Sequence, residues 1–372
     1  MRKIIFWCHV SVALAIGWVL LSMAVTGMIM AFEPQLVDWS ERHVRPRHQV
    51  DPSSLLSMNE LVQRAQEFRQ KNPSSLSVRA ESRGVVGVGF GKAGMVYVQA
   101  DTGQILGTQS KMHDFMHTME DWHRWLGSKE IGKPITGVGV LGFLFLMVSG
   151  FYLWWPRQWS GKNLRAITVF DWHLSGRARH WNWHQVIGLW CWPIFLVTTL
   201  TGIVMSYDWA NRLLFKMTGH EAPVKSSPVQ SSENKKALIP SEPILVEWNL
   251  IWEKATHQVP QWESIAIRVP QKPDSPVMVS IVEANAPHPY SRSQLSLDAQ
   301  TGDITKWEPF AEQNLGKKVR SWVRPLHTGE AWGWVGQLLA FLASAGCVLL
   351  IWTGYSLAWY RFHNWLRARR NA

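Results

Sequence analysis

Four stretches of this chain are long, apolar and free of Asp, Glu, Lys and Arg: residues 4–32, 134–156, 181–207 and 331–360. Their lengths of 29, 23, 27 and 30 residues each exceed the roughly 20 needed to cross the hydrocarbon core of a bilayer. The pattern predicts four transmembrane helices separated by two long polar segments and one short one. The polar segments alternate instead of running apolar. In the first, Ser57-Met58-Asn59-Glu60 forms a capping box for a helix over about 57–70. Strand candidates follow at 76–82, 85–90 and 94–100, ending in a turn at Asp101-Thr102-Gly103. The second has a helix near 245–258, strand candidates at 263–269, 277–283 and 293–298, and the turn Gln300-Thr301-Gly302. A helix packed on a small antiparallel sheet fits both. The stretch 220–243, rich in Ser, Pro, Lys and Glu, reads as a linker.

The expected organisation is therefore an α-helical membrane protein with two outer α+β domains. Helix 1 occupies 1–32, outer domain 1 covers 33–130 and helix 2 covers 131–156. A loop at 157–180 leads to helix 3 at 181–207, outer domain 2 at 208–326, helix 4 at 327–360 and a tail at 361–372. A basic start before an apolar run also describes a cleavable signal, but the first run is longer than a signal core and no small-x-small site precedes Glu33.

Charge changes the picture by giving it sides. The net charge is +11, which in a soluble protein would suggest nucleic acid. Here the N-terminus, the 157–180 loop and the tail hold eleven basic residues, among them Arg157, Lys162, Arg165, Arg361 and Arg367, against Asp171 alone. The two long segments are nearly balanced, with 27 basic and 26 acidic residues. Positive residues stay inside, so both termini and the short loop are expected in the cytoplasm and both long segments outside. Three Cys in 372 residues exclude a disulfide scaffold. Cys8, Cys191 and Cys347 fall in apolar runs and read as packing residues.

Histidines recur at fixed offsets. His9 precedes Thr26-Gly27 by 17 residues, as His184 precedes Thr201-Gly202; His123 precedes Gly150 by 27, as His327 precedes Gly354. Gly132, Gly142 and Trp155 also match Gly336, Gly346 and Trp359 at an offset of 204. The set implies a parallel repeat of a two-helix unit. His9 would then meet His184 near the cytoplasmic face, and His123 would meet His327 near the outer face. Polar side chains in membrane helices are functional by default, and neutral imidazole is a haem iron ligand. Two such pairs would hold two stacked haems, non-covalently because Cys-x-x-Cys-His is absent. Glycines near those positions would let a macrocycle approach the backbone.

Other readings compete. A membrane-edge histidine often only bonds a headgroup or a carbonyl. His117, His173, His180 and His363 are substitutes that only the offsets disfavour. The Trp clusters around 154, 181 and 190 fit interfacial belts. A Met-rich copper site at His113 and His117 with Met112, Met116 and Met119 is disfavoured. The run Lys317-Lys318-Arg320-Arg324 reads first as a solvated face or headgroup contact. No nucleotide fingerprint, phosphate loop or hydrolase triad is present.

His9 through Thr26-Gly27, His123-Arg124-Trp125-Leu126, Gly150 through Arg157, Phe170-Asp171-Trp172-His173-Leu174, Trp183-His184 and Leu326-His327-Thr328-Gly329-Glu330 resemble the PepSY-associated transmembrane-helix family. Within it the chain is similar to bacterial inner-membrane ferric-siderophore reductases. The resemblance implies PepSY-like periplasmic domains and two haems b, held by His9 with His184 and by His123 with His327. It implies one-electron reduction of a ferric siderophore in the periplasm, with a quinol or a cytoplasmic reductase as donor. Docking is expected between the outer domains and the outer haem. Two alternatives stand beside it: a quinol-linked di-haem carrier with a protein acceptor, and a non-enzymatic sensor or inhibitor.

Overall fold

The computed structural model describes residues 1–46, 54–223, 247–270, 275–299 and 301–371. The 220–243 linker lies largely outside the described residues, as does Gln300. In chain order the elements begin with α1 (Arg2–Met30), α2 (Glu33–Glu41) and α3 (Met58–Arg69). Four strands follow: β1 (Ser75–Arg79), β2 (Val85–Gly89), β3 (Met95–Gln99) and β4 (Ile105–Thr108). Next come α4 (Lys111–Trp125), α5 (Lys129–Trp154), α6 (Gly161–Thr168), α7 (Gly176–Ser206), α8 (Asp208–Met217) and α9 (Trp248–Gln258). The chain ends with β5 (Trp262–Arg268), β6 (Val277–Glu283), β7 (Arg292–Leu297), β8 (Ile304–Glu308), α10 (Leu315–Thr328) and α11 (Gly333–Arg370). These elements form two units.

The first unit holds Met1–Glu33, Phe115–Leu214 and Trp322–Ala372. Four of its helices are long and apolar enough to cross a membrane: Arg2–Met30, Lys129–Trp154, Gly176–Ser206 and Glu330–Arg370. Packing closes a ring in which α1 touches α5 and α11, and α7 touches the same two. Small residues let these helices approach: a side chain at Gly142 would strike Ile16, and one at Gly346 would strike Cys191. Much of the apolar surface faces outward, Trp18, Trp190 and Trp359 included, which is stable only against lipid. The last span begins later than expected from 327–360. Gly329 and Gly333 take φ of 83° and 59°, which ends α10 after His327 and starts α11 anew. The entry to α5 is equally tight. A Cβ on Gly132 would lie 1.5 Å from the Trp125 carbonyl oxygen, and one on Gly336 would lie 2.1 Å from that of Gly329.

The second unit holds Pro34–Asp114 and Phe215–Ser321. The two polar segments, expected as separate domains over 33–130 and 208–326, share one antiparallel sheet of order β4-β3-β2-β1-β5-β6-β7-β8. The joint is β1 against β5, from Ser75 opposite Arg268 to Arg79 opposite Ser264. Two four-stranded sheets would each have exposed one of these strands; pairing them satisfies both edges. Alternation along the strands buries Leu76, Val86, Val96, Ile265, Val279 and Leu295 in one core with Leu61 and Ala65 of α3 and Ala255 of α9. Ser57 caps α3 by accepting from the Glu60 N–H at 3.2 Å, as the sequence predicts. β4 and β8 escaped the sequence pattern because they are short outer strands whose residues are mostly exposed or half-buried.

Candidate functional site

Four histidines in the first unit have the same surroundings. Each places Nδ1 against a hydroxyl, and each hydroxyl belongs to the residue immediately before a glycine. His9 meets Ser149 at 2.8 Å, His123 meets Thr26 at 3.0 Å, His184 meets Thr353 at 3.0 Å and His327 meets Thr201 at 3.0 Å. The glycine that follows faces the imidazole edge. A Cβ there would sit 3.3 Å from His9 Cε1 at Gly150, 3.4 Å from His123 at Gly27, 3.5 Å from His184 at Gly354 and 3.4 Å from His327 at Gly202. Each of these glycines therefore lies in close contact with an imidazole edge.

The contacts also fix which ring nitrogen carries the proton. A hydroxyl has one proton to give. Ser149 donates it to the Phe145 carbonyl at 2.7 Å, Thr26 to Ser22 at 2.7 Å, Thr201 to Val197 at 2.7 Å and Thr353 to Leu349 at 2.8 Å. With that proton spent, each oxygen can only accept, so each histidine donates from Nδ1. His327 Nδ1 also donates to the Thr198 carbonyl at 2.9 Å, and the Met23 and Leu350 carbonyls play the same part for His123 and His184. Nε2 is left with its lone pair in all four rings, the form in which imidazole binds a metal.

The sequence spacings become reciprocal contacts. His9 on α1 is held from α5, and His123 at the end of α4 is held from α1. His184 on α7 is held from α11, and His327 at the end of α10 is held from α7. His123 and His327 lie together with ring centroids 6.2 Å apart at 75°, and His9 is close enough to His184 for their charges to interact. Burial, reinforced by the neighbouring His327, pushes His123 down to about 4; burial lowers His327 as well. Glu120 ties their helices together, accepting from Arg124 at 2.9 Å and lying 3.9 Å from Arg324.

The substitute histidines have other surroundings. His117 is exposed and lies 3.6 Å from Asp121. His173 sits in an exposed turn and His363 on the exposed end of α11 against Trp359. His180 is buried and packs edge-on against Trp352 at 4.8 Å. His113 lies 3.4 Å from Glu41, and among the described residues no group of three His, Cys, Asp or Glu could hold a metal ion. The basic run is engaged: Lys317 bonds Glu308 and Lys318 donates to the Ala311 carbonyl at 2.6 Å. The hydroxyls of Ser149 and Thr353 escaped the sequence reading. A hydroxyl residue before each of the four glycines spaced 18 or 27 residues from a histidine, Gly27, Gly150, Gly202 and Gly354, was the signal that could have found them.

No curated protein matches the chain. Residues 6–361 match the sequence profile of the PepSY-associated TM region, and the chain is a multi-pass membrane protein belonging to that family.

Proposed function

We propose that the chain is an inner-membrane, di-haem b oxidoreductase that reduces ferric siderophores on the periplasmic side, built by duplication of a two-helix unit and its outer α+β segment. The observation that carries the haem reading is the fourfold contact of histidine, hydroxyl and glycine, which leaves four Nε2 lone pairs in two pairs. The spacing of one pair fits the group. Two metal–nitrogen bonds of about 2 Å, with ~1.1 Å from each nitrogen to its ring centre, span roughly 6.2 Å when in line, against 6.2 Å between the His123 and His327 centroids. His123 with His327 would hold one haem and His9 with His184 the other.

Bound haem supplies reversible one-electron chemistry. The chain's residues supply the rest. The four Nε2 atoms would hold the haem iron, and the hydroxyls of Ser149, Thr26, Thr353 and Thr201 hold each ring against rotation. The substrate's Fe(III) is a hard acid in an oxygen cage, and one-electron reduction loosens that cage without hydrolysis of the ligand. Eleven basic residues against one acid on the short segments support cytoplasmic termini and an outward His123/His327 end. The siderophore itself rests on the motif resemblance.

The test is a reduced-minus-oxidised visible spectrum of the purified protein and of His9→Ala, His123→Ala, His184→Ala and His327→Ala. We expect a bis-imidazole b-type spectrum with two haems per chain, and loss of one haem in each variant. Colourless protein would sink the proposal and favour a sensor or inhibitor. Stopped-flow mixing of the dithionite-reduced protein with a ferric siderophore should reoxidise it. Haem that stays reduced would move the acceptor to a protein.

A further inference from the structure

One cavity in the first unit lies beside the histidines without containing them. It measures about 400 Å³ and is lined by His180, Tyr355, Ser356, Trp359 and Tyr360. His180 precedes His184 by one turn of α7, ~6 Å along the axis, and Tyr355 and Ser356 follow Thr353-Gly354 on α11. The cavity is therefore next to the His9/His184 pair, at the end of the bundle where the chain begins and finishes.

Its walls have a defined chemistry. His180 is 8% exposed. Its Nδ1 is enclosed without a hydrogen-bond partner among the described residues, which leaves Nε2 as the nitrogen the cavity can reach. Tyr355 spends its hydroxyl proton on the Leu14 carbonyl at 3.0 Å, and Ser356 spends its own on the Trp352 carbonyl at 2.8 Å. Both oxygens are left as acceptors. Trp359 and Tyr360 add flat apolar faces, with Trp359 63% exposed toward the surroundings of the bundle. A lipid phosphate would need several donors here, and with the Tyr355 and Ser356 protons already committed Tyr360 is the one lining hydroxyl left to donate. A flat ring carrying two phenolic donors fits.

We propose that this cavity binds the headgroup of a membrane quinol, the electron donor to the His9/His184 end of the protein; the proposal rests on the two-haem reading. Oxidation of one hydroquinone to quinone releases two electrons and two protons. In the tautomer with its proton on Nδ1, His180 takes one proton at Nε2, and the other leaves to water at the mouth of the cavity. The two electrons reduce two Fe(III) haems to Fe(II), one each.

The experiment uses the full chain in nanodiscs and a decyl-tailed benzoquinol. Calorimetric titration of dithionite-reduced protein under anaerobic conditions measures binding with no electron transfer. Stopped-flow mixing of the oxidised protein with the same quinol measures haem reduction. We expect His180→Ala and Trp359→Leu each to weaken binding by roughly tenfold. His180→Ala should also slow haem reduction by roughly tenfold or more, while dithionite reduction and the haem spectrum stay those of the parent. Equal binding and equal rates in both variants would overturn the proposal. So would His180-dependent binding of phosphatidylglycerol in place of the quinol. Colourless protein would sink the two-haem reading, yet the anaerobic titration needs no haem and still judges the cavity.

Discussion

The hydroxyls behind the histidines differ in how much rests on them, and the difference can be measured. Among the described residues Ser149 Oγ is the sole partner of His9 Nδ1, and Ser149 is 4% exposed. Ser149→Ala leaves that N–H enclosed and unpaired, which costs about 1–3 kcal/mol. His327 has two acceptors, Thr201 Oγ1 at 3.0 Å and the Thr198 carbonyl at 2.9 Å. Thr201→Val removes one and leaves the other, so its cost should stay below about 1 kcal/mol. If the penalty falls on the ligating form of the ring, haem affinity should drop roughly 5- to 150-fold in Ser149→Ala, in line with the 10- to 100-fold typical of such supporting contacts. The drop should be less than about fivefold in Thr201→Val. Haem titration of the apo protein, followed at the Soret band, gives both numbers, and Ser149→Thr should restore affinity. Equal losses in the two variants would show that the hydroxyls do not act through Nδ1.

Three further outcomes follow from the geometry. Burial alone would raise the Glu41 carboxyl, but His113, the Ser110 N–H, the Tyr97 hydroxyl and the Arg45 charge outweigh it and hold the carboxyl at about 2. A depressed carboxylate stabilises above its unfolded pKa and loses that as pH falls to the folded value, so about 3 kcal/mol should vanish between pH ~4.5 and ~2. Thermal melts across that range should flatten in Glu41→Gln, and an unchanged profile would refute the network. Gly132→Ala and Gly336→Ala drive a Cβ into backbone at 1.5 and 2.1 Å, and both should abolish folded yield in detergent chromatography, since no side chain can yield there; near-parent yield would refute the tight turn. Alkaline phosphatase fused after Ser206 should be active and after Ser160 inactive; the opposite pattern would invert the proposed orientation.

What the sequence made legible follows from what kind of force sets each feature. The spans were readable because lipid tolerates no charge over such lengths, and 4–32 or 181–207 announce that in composition alone. The strands at 75–79 and 277–283 were readable from alternation, which burial on one face imposes. The shared sheet was not. Nothing local in Ser75–Arg79 or Trp262–Arg268 distinguishes an outer strand from one that pairs with a strand nearly two hundred residues away. The histidines emerged from spacing, because offsets preserve geometry without naming partners. Ser149 and Thr353 stayed hidden for the same reason: a hydroxyl in a membrane helix ordinarily satisfies itself on its own i−4 carbonyl, as both do here. Only the fold reveals that the spent hydroxyl then accepts from a ring on another helix.

That arrangement divides two tasks between the halves of the chain. Each imidazole is oriented from within its own half, His9 and His123 by α5 and α1, His184 and His327 by α11 and α7. Each proposed pair of ligands, by contrast, takes one ring from each half. The Nδ1–H bonds can therefore form with the helix pairs α1–α5 and α7–α11, before the halves meet. Rotational freedom of the rings is lost in that step and is no longer a cost when a metal arrives. What remains for association of α1 with α11 and α5 with α7 is to set the distance between rings whose rotation each half has already fixed. A spacing of 6.2 Å between His123 and His327 is then a property of helix packing, governed by close approaches between the halves such as Gly17 on Tyr355 and Gly137 on Tyr207. Ligand orientation and ligand separation are set by different residues.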